Sequence, residues 1–375
     1  MKKSVKKLIK RFVLSIFVIV LIIMLPTVGL KQDSNMELIY RSFIGKKSDY
    51  LGFIEIWNID TFESGAVSKC DILNAVASEY QKENKGTYVL VRNVSETECK
   101  NMIAKGQMPD LFSCSYGVAS ELKDYIEPFS CEFGEVYENL LNAGKLNDSQ
   151  YGVPWCFGSY YMFSTEQKME KYFESGQKID LVKVALETGY DKVYKNKIET
   201  IYSLGFGTKE YLLPQKAFES YTGRGIVSDN KAVNKEKVNK FSPYDAYCDF
   251  LVGGHNILIG SQRDFIRLKN RESQGKLNGL IAQRVEGFTD LVQFAMPVKN
   301  TEQRYKHAQE FVKKLISLKV QSSILKNGMI AVNKSVNMVK NGGIMSNITP
   351  EIIGNYKCYN VFIGKTEIRN LQVIS

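Results

Sequence analysis

Between Leu51 and Tyr125 strand signals alternate with helix signals, and that order restricts the fold more than any other feature of the sequence. Gly52-Phe-Ile-Glu-Ile-Trp57 alternates and is rich in β-formers. Val67 to Lys85 reads as a helix stopped by Gly86, and Thr87 to Val91 returns to strand. Ser95-Glu-Thr-Glu98 is a capping box, in which each side chain satisfies an orphan amide at a helix start. That helix ends at Gly106; Pro109 to Cys114 is a third short strand, and Val118 to Tyr125 reads as another helix. Such alternation builds an α/β lobe on a mainly parallel sheet, whose loops gather at one edge where ligands bind.

Further along, Asn147 to Ser164 gives a turn and then an aromatic extended stretch, followed by a less regular helix-rich region at 165–280. Lys231, Lys235, Lys237 and Lys240 stand there in a polar stretch that reads as a solvated helix face. Val252 to Ile259 is extended, ending in Gly260-Ser261-Gln262, and Leu291 to Val298 is a strand. Ala308, Phe311, Val312, Leu315 and Ile316 form the apolar stripe of an amphipathic helix, and Gly328 closes the next one. No internal repeat or low-complexity tract is present.

The 375 residues carry a formal charge of +10, which invites a nucleic-acid reading until the charge is located. Six bases and no acid fall within residues 1–30, and the tether at 31–50 adds a net +1 through residue 49. From Tyr50 onward 40 bases meet 37 acids, so the folded body is nearly neutral and nucleic acid is not an expected partner. Behind the basic cluster runs Phe12 to Leu25, fourteen residues with only Ser15 polar. This is the order of an export signal, and if uncleaved it forms an N-terminal hydrophobic helix that anchors the chain in a membrane through residues 8–30. No A-x-A site precedes a polar stretch, and no cysteine for lipid attachment occurs before Cys70.

Seven scattered cysteines lack any C-x-x-C spacing; the odd number leaves at least one thiol free, with one or two bridges open. Only His255 and His307 are present, both read as structural, and no metal site or cofactor is expected. No nucleophile-elbow, phosphate-loop, zinc-protease or dinucleotide motif occurs. A pair of carboxylates alone can still run a glycosidase, and none is marked out here.

Four segments together resemble the extracellular solute-binding proteins of bacterial ABC transporters, the sugar-type family with the periplasmic-binding-protein-like (type II) fold. Gly52 to Trp57 with Asn58-Ile-Asp60 is similar to the family's opening strand and loop. Gly106-Gln-Met-Pro109-Asp110 is similar to its G-x-x-P-D strand start, and Tyr151-Gly-Val-Pro154-Trp155 to its Y-G-[VI]-P crossover. Ala308 to Gln321 resembles A-x-x-F-[IV]-x-x-L-x-S-x-x-x-Q. The region 165–280 and the tail after Lys334 depart from the pattern.

The resemblance implies two α/β lobes, each a mainly parallel sheet flanked by helices, with lobe 1 at 51–155 and 285–330 and lobe 2 at 156–284 and 331–375, closing by a hinge on a captured solute. It implies a monomer on the extracytoplasmic face of the membrane that hands a small solute, above all a carbohydrate, to an ABC permease without doing chemistry. Ligand residues expected on that basis are Trp57, Asn58 and Asp60 after the first strand; Ser115 and Tyr116 after the third; Trp155, Ser159 and Tyr160 at the crossover; and Gln262, Arg263 and Asp264 in the second lobe. Aromatic faces pack sugar C–H groups while carboxylates, amides and Arg bind hydroxyls. Asp110 is expected to hold a backbone amide at the turn before its strand, and Tyr160 and Tyr161 to point to opposite sides of a strand. A tethered sensor of the same fold and a secreted carbohydrate-active enzyme are the competing readings.

Overall fold

The structure is a computed structural model that describes residues 52–173, 177–188, 200–202, 243–300, 302–336 and 348–364. The basic and apolar segment, the tether and the four lysines between 231 and 240 lie outside the described residues. Among those described, no helix is long and apolar enough to cross a membrane.

Two sheets organise the chain. The first has the order β2-β1-β3-β11-β6, from β1 (Gly52–Asn58), β2 (Thr87–Asn93), β3 (Leu111–Cys114), β6 (Val153–Phe157) and β11 (Val292–Pro297). The second has the order β10-β7-β9-β8, from β7 (Tyr160–Thr165), β8 (Thr200–Tyr202), β9 (Ile257–Ser261) and β10 (Leu280–Val285). A two-residue pair, β4 (Lys145–Leu146) with β5 (Ser149–Gln150), turns through Asn147 and Asp148, both at positive φ. Asparagine and aspartate tolerate that conformation better than other side-chain-bearing residues.

The sheets are mixed rather than purely parallel, for a topological reason. β1 pairs parallel with β2 and β3, while β11 runs against both β3 and β6. In the second sheet β7 runs against β10 and β9, while β8 and β9 are parallel. β7 and β11 are the strands that have just crossed from the other sheet, by way of Gly158-Ser159 and residues 286–291. Each enters its new sheet at the shared edge, where its neighbours end, and so runs opposite to them.

Helices cover the sheets where the periodicity places them. α1 (Lys69–Glu83) starts at Ser68, whose side chain accepts from Asp71 N, and buries Ile72, Leu73, Val76, Ala77 and Tyr80. α2 (Glu96–Ala104) carries both bonds of the Ser95–Glu98 capping box, and Gly106 beyond it sits at φ 74°. α3 (Leu181–Thr188), α4 (Pro243–Leu251) and α5 (Gln262–Ser273) belong to the second sheet, and α6 (Glu302–Leu315) and α7 (Leu318–Lys326) to the first. Ala308, Phe311, Val312, Leu315 and Ile316 are fully buried, as the stripe requires.

Two local expectations are corrected. Val118 to Tyr125 is not an α-helix but two short 3-10 turns, Ala119–Glu121 and Lys123–Tyr125; Ser115 O accepts from both Val118 N and Ala119 N, and Gly117 at φ 83° breaks the run. Val252 to Ile259 is not one extended segment, because α4 runs on to Leu251 and Val252 is left 84% exposed before β9 begins at Ile257. All seven cysteines are free thiols. The described tail bonds to Val136, Asn139 and Ala143 through Asn333, Ile353, Tyr356 and Val361, and to Val285, Gly287 and Thr289 through Tyr356 and Lys357.

Candidate functional site

The strand ends β1, β2 and β3 and the crossover segments meet along one edge, and the polar residues predicted for ligand binding collect there. Three backbone segments are tied together along this edge. Gly158 N donates to Leu291 O and Thr289 Oγ1 donates to Gly158 O, both near 2.9 Å or below, while Lys357 N donates to Gly287 O. Ser159 Oγ shares a 2.6 Å hydrogen bond with Tyr356 Oη. Tyr160, fully buried, donates through its hydroxyl to Asp290 in the opposite crossover. Burial pushes the Asp290 carboxyl up to about 6 against the lowering effect of that hydrogen bond. Tyr161, on the other side of β7, stacks on Phe265 at 4.8 Å, so the pair does divide between two faces.

Asn58, Ser113, Trp155 and Gln293 form a buried polar layer under the first sheet's edge. Ser113 Oγ donates to Asn58 Oδ1 at 3.0 Å and accepts from Trp155 Nε1 at 3.2 Å, and Gln293 Nε2 reaches Ser113 Oγ at 3.1 Å. Trp57 is 1% exposed, with its ring edge-on to Phe112 and its indole N–H on Glu55. Trp155 is 0% exposed. Both tryptophans are thus core residues here, and Asn58 reaches Trp155 through Ser113. Ser115 and Tyr116 are also buried; the Tyr116 hydroxyl donates to Tyr359 O at 2.6 Å.

The solvent-reaching part of the edge is the loop from Ile59 to Ser68, opposed by the start of α5. Lys69, with a completely buried side chain, organises the loop: its ammonium donates to Phe62 O, lies 3.1 Å from Asp60 Oδ1 and 3.6 Å from the Phe62 ring centre. Burial lowers its pKa, and Asp60 resists that shift. From the second lobe, Ser261 caps α5, with Asp264 returning a bond to Ser261 N, so Asp264 serves the helix rather than the cleft. Gln262 is 0% exposed and bridges the lobes: Oε1 accepts from Ser159 N at 3.2 Å, and Nε2 donates to Glu63 O at 2.9 Å. Gly158 permits this, since a Cβ there would meet Gln262 Oε1 at 2.1 Å. Arg263 donates to Gly65 O, and Arg267 pairs with the Glu63 carboxylate at 3.0 Å.

Between these elements lies a cavity of about 400 Å³ lined by Asp60, Thr61, Phe62, Glu63, Ser64, Ser68 and Arg263. Of the residues expected from sequence, Asp60 and Arg263 line it and Gln262 holds its wall. Phe62, Glu63, Lys69 and Arg267 were not expected. The Ser68 cap was the one signal that could have pointed to the loop, because it fixes where α1 begins and hence which residues precede it. Among the described residues, no three His, Cys, Asp or Glu side chains gather as metal ligands.

No family model matches the sequence, and no curated protein matches it. The fold has several solved counterparts. The GacH receptor of Streptomyces glaucescens GLA.O, described unliganded and in complex with acarbose, aligns with a TM-score of 0.60 at 15% identity over 84% of this chain and 89% of that chain. The sugar-binding protein MalE of Xanthomonas citri aligns at 0.59 and 13% identity, over 82% and 86%. Maltose-bound MalE3 of T. maritima aligns at 0.57 and 14% identity, over 81% and 87%. The fold is therefore that of the two-lobed solute-binding proteins. The likeness spans 81–84% of this chain and concerns its fold.

Proposed function

We propose that the protein is an extracytoplasmic solute-binding protein that captures a carbohydrate between its lobes and presents it to an ABC importer. The observation that carries the reading is the cavity at the edge where the two sheets meet. It offers hydroxyls (Thr61, Ser64, Ser68), carboxylates (Asp60, Glu63), a guanidinium (Arg263) and an aromatic ring (Phe62), the mixture that polar, weakly apolar sugar rings require. The solved counterparts that share this architecture support it, since they are described as sugar-binding or with maltose, acarbose or mannotriose bound.

The step is capture. Both cavity carboxylates already have cationic partners, Asp60 with Lys69 and Glu63 with Arg267, whereas a glycosidase must keep one carboxyl protonated for the leaving oxygen. Closure traps the ligand, and ligand favours the closed arrangement only by binding it better than the open one. In this reading residues 8–30 hold the amino end in the membrane, the chain works as a monomer, and the permease recognises the closed lobes.

Thermal unfolding of the full-length chain against a broad sugar panel tests the proposal. At least one sugar is expected to raise the melting temperature, with the rise abolished in Asp60→Asn and Arg263→Ala. No rise with any sugar would refute a carbohydrate ligand.

A further inference from the structure

Beyond the cavity wall, among the described residues, an aromatic side chain that the core does not need stands exposed. Tyr244, in the first turn of α4, is 60% exposed. Its ring stacks on Tyr247, with centres 6.2 Å apart and planes 27° from parallel, and Tyr247 itself is buried. The Arg267 guanidinium lies 5.8 Å from the Tyr244 ring centre and 5.7 Å from that of Tyr247. The same guanidinium is bonded to Glu63, which lines the cavity, and Arg263, one turn earlier on α5, lines it too. Direct contacts therefore link the cavity lining, through the Glu63–Arg267 pair, to the ring of Tyr244.

Exposing a tyrosine ring to water forgoes the stabilisation its burial would give, and here its position is fixed from beneath by a second ring and a cation. The other large exposed apolar side chains among the described residues, Tyr125, Val252 and Leu318, share none of these contacts with the cavity lining. At about 400 Å³ the cavity is at the small end of ligand pockets, so most of a long ligand would have to lie outside it.

We propose that the ligand is an oligosaccharide, bound with one unit in the Asp60–Arg263 cavity and a later unit stacked on Tyr244, with the Glu63–Arg267 pair hydrogen-bonding the hydroxyls between. This inference rests on the carbohydrate reading above and narrows it, since a monosaccharide-specific protein has no use for the outer ring. Tyr244 then sets the preferred chain length, because its contribution is available only to ligands long enough to reach it.

The test is calorimetric titration of the full-length chain, kept in a detergent without a sugar headgroup, with maltose through maltohexaose and with mannobiose through mannohexaose. Wild type is expected to bind longer members of one series more tightly than the disaccharide. Tyr244→Ala should lose about five- to tenfold in affinity for the longer members and stay within about twofold for the disaccharide. Tyr244→Phe should keep the wild-type length dependence, and Asp60→Asn should weaken every length alike. Wild-type binding that does not grow with length, or a Tyr244→Ala loss equal at all lengths, would overturn the inference while leaving carbohydrate capture intact. Absence of wild-type binding to both series would overturn this inference with the capture reading beneath it.

Discussion

Truncation of Gln262 separates the closing of the lobes from the folding of either one. The Gln262 side chain is 0% exposed and satisfies two backbone groups, Ser159 N in the hinge and Glu63 O in the first lobe. In Gln262→Ala both lose their partner: the buried Ser159 N–H is orphaned at about 1–3 kcal/mol, while the carbonyl of the exposed Glu63 loses a hydrogen bond worth about 0.5–1.5 kcal/mol. The Ser159 share persists whether the lobes are apart or together, so it appears as lost fold stability. The Glu63 share exists only when the lobes meet and is removed from the closed state alone. Where closure is needed for tight binding, that loss reaches the apparent Kd in full, about 2- to 13-fold weaker. Calorimetry on a sugar that binds wild type gives the affinity change, and small-angle scattering of the sugar-saturated chain reports the shift to an expanded form. Lys319→Ala is the control: its exposed pair with Glu79 joins two helices of the first lobe away from the cavity, so about 0–1 kcal/mol of stability and an affinity within about twofold of wild type are expected. If Gln262→Ala unfolds more easily but binds sugar as tightly as wild type, Gln262 supports the fold only and the closure argument fails.

Three further outcomes follow from the same contacts. Gly158→Ala should mimic Gln262→Ala, because the added methyl displaces Gln262 Oε1; affinity within about twofold of wild type would contradict that. Asp290 has its carboxyl raised by burial to about 6 from an ordinary 3.8, so the native state holds the proton more tightly than the unfolded chain and Asp290 stabilises the fold most at low pH. Its contribution falls as pH rises from about 4 to about 6 and is then flat; Asp290→Asn should remove about 1–3 kcal/mol of that slope relative to wild type, read from urea midpoints between pH 4 and 7. Asp110→Ala strips acceptors from Glu55 N and Arg304, bonded at 2.7 and 2.6 Å by a carboxylate with no exposure; about 3–5 kcal/mol of stability should go, and a loss under about 1 kcal/mol would refute its structural role.

The strand and helix order was legible because each boundary has its own chemistry. Ser68 and Ser95 cap helices, and Gly86, Gly106 and Gly328 take positive φ beyond helix ends; Asp110 does hold a backbone amide, but that of Glu55 in the neighbouring β1 and not one at its own turn. Trp57 and Trp155 illustrate what alternation cannot tell. Both faces of an α/β sheet are covered, so a large aromatic on either face can be core, and only the packing of the flanking helices decides it. The cavity loop was missed for a related reason: Phe62, Glu63 and Lys69 meet only when α1 starts at Lys69 and α5 arrives from about 200 residues away, as the 199-residue separation of the Glu63–Gln262 bond shows. Tyr244 carries no sequence mark at all, because its significance is exposure beside Arg267 and Glu63.

The central claim is that the chain binds sugar in this cavity and leaves it unchanged. Titration of the full-length chain with the oligosaccharide panel, followed by chromatography of the recovered sugar, addresses both parts. Saturable binding at one site per chain, lost in Arg263→Ala, with the sugar recovered intact, is the predicted result. No saturable binding to any member of the panel, or recovery of shortened sugars, would contradict it.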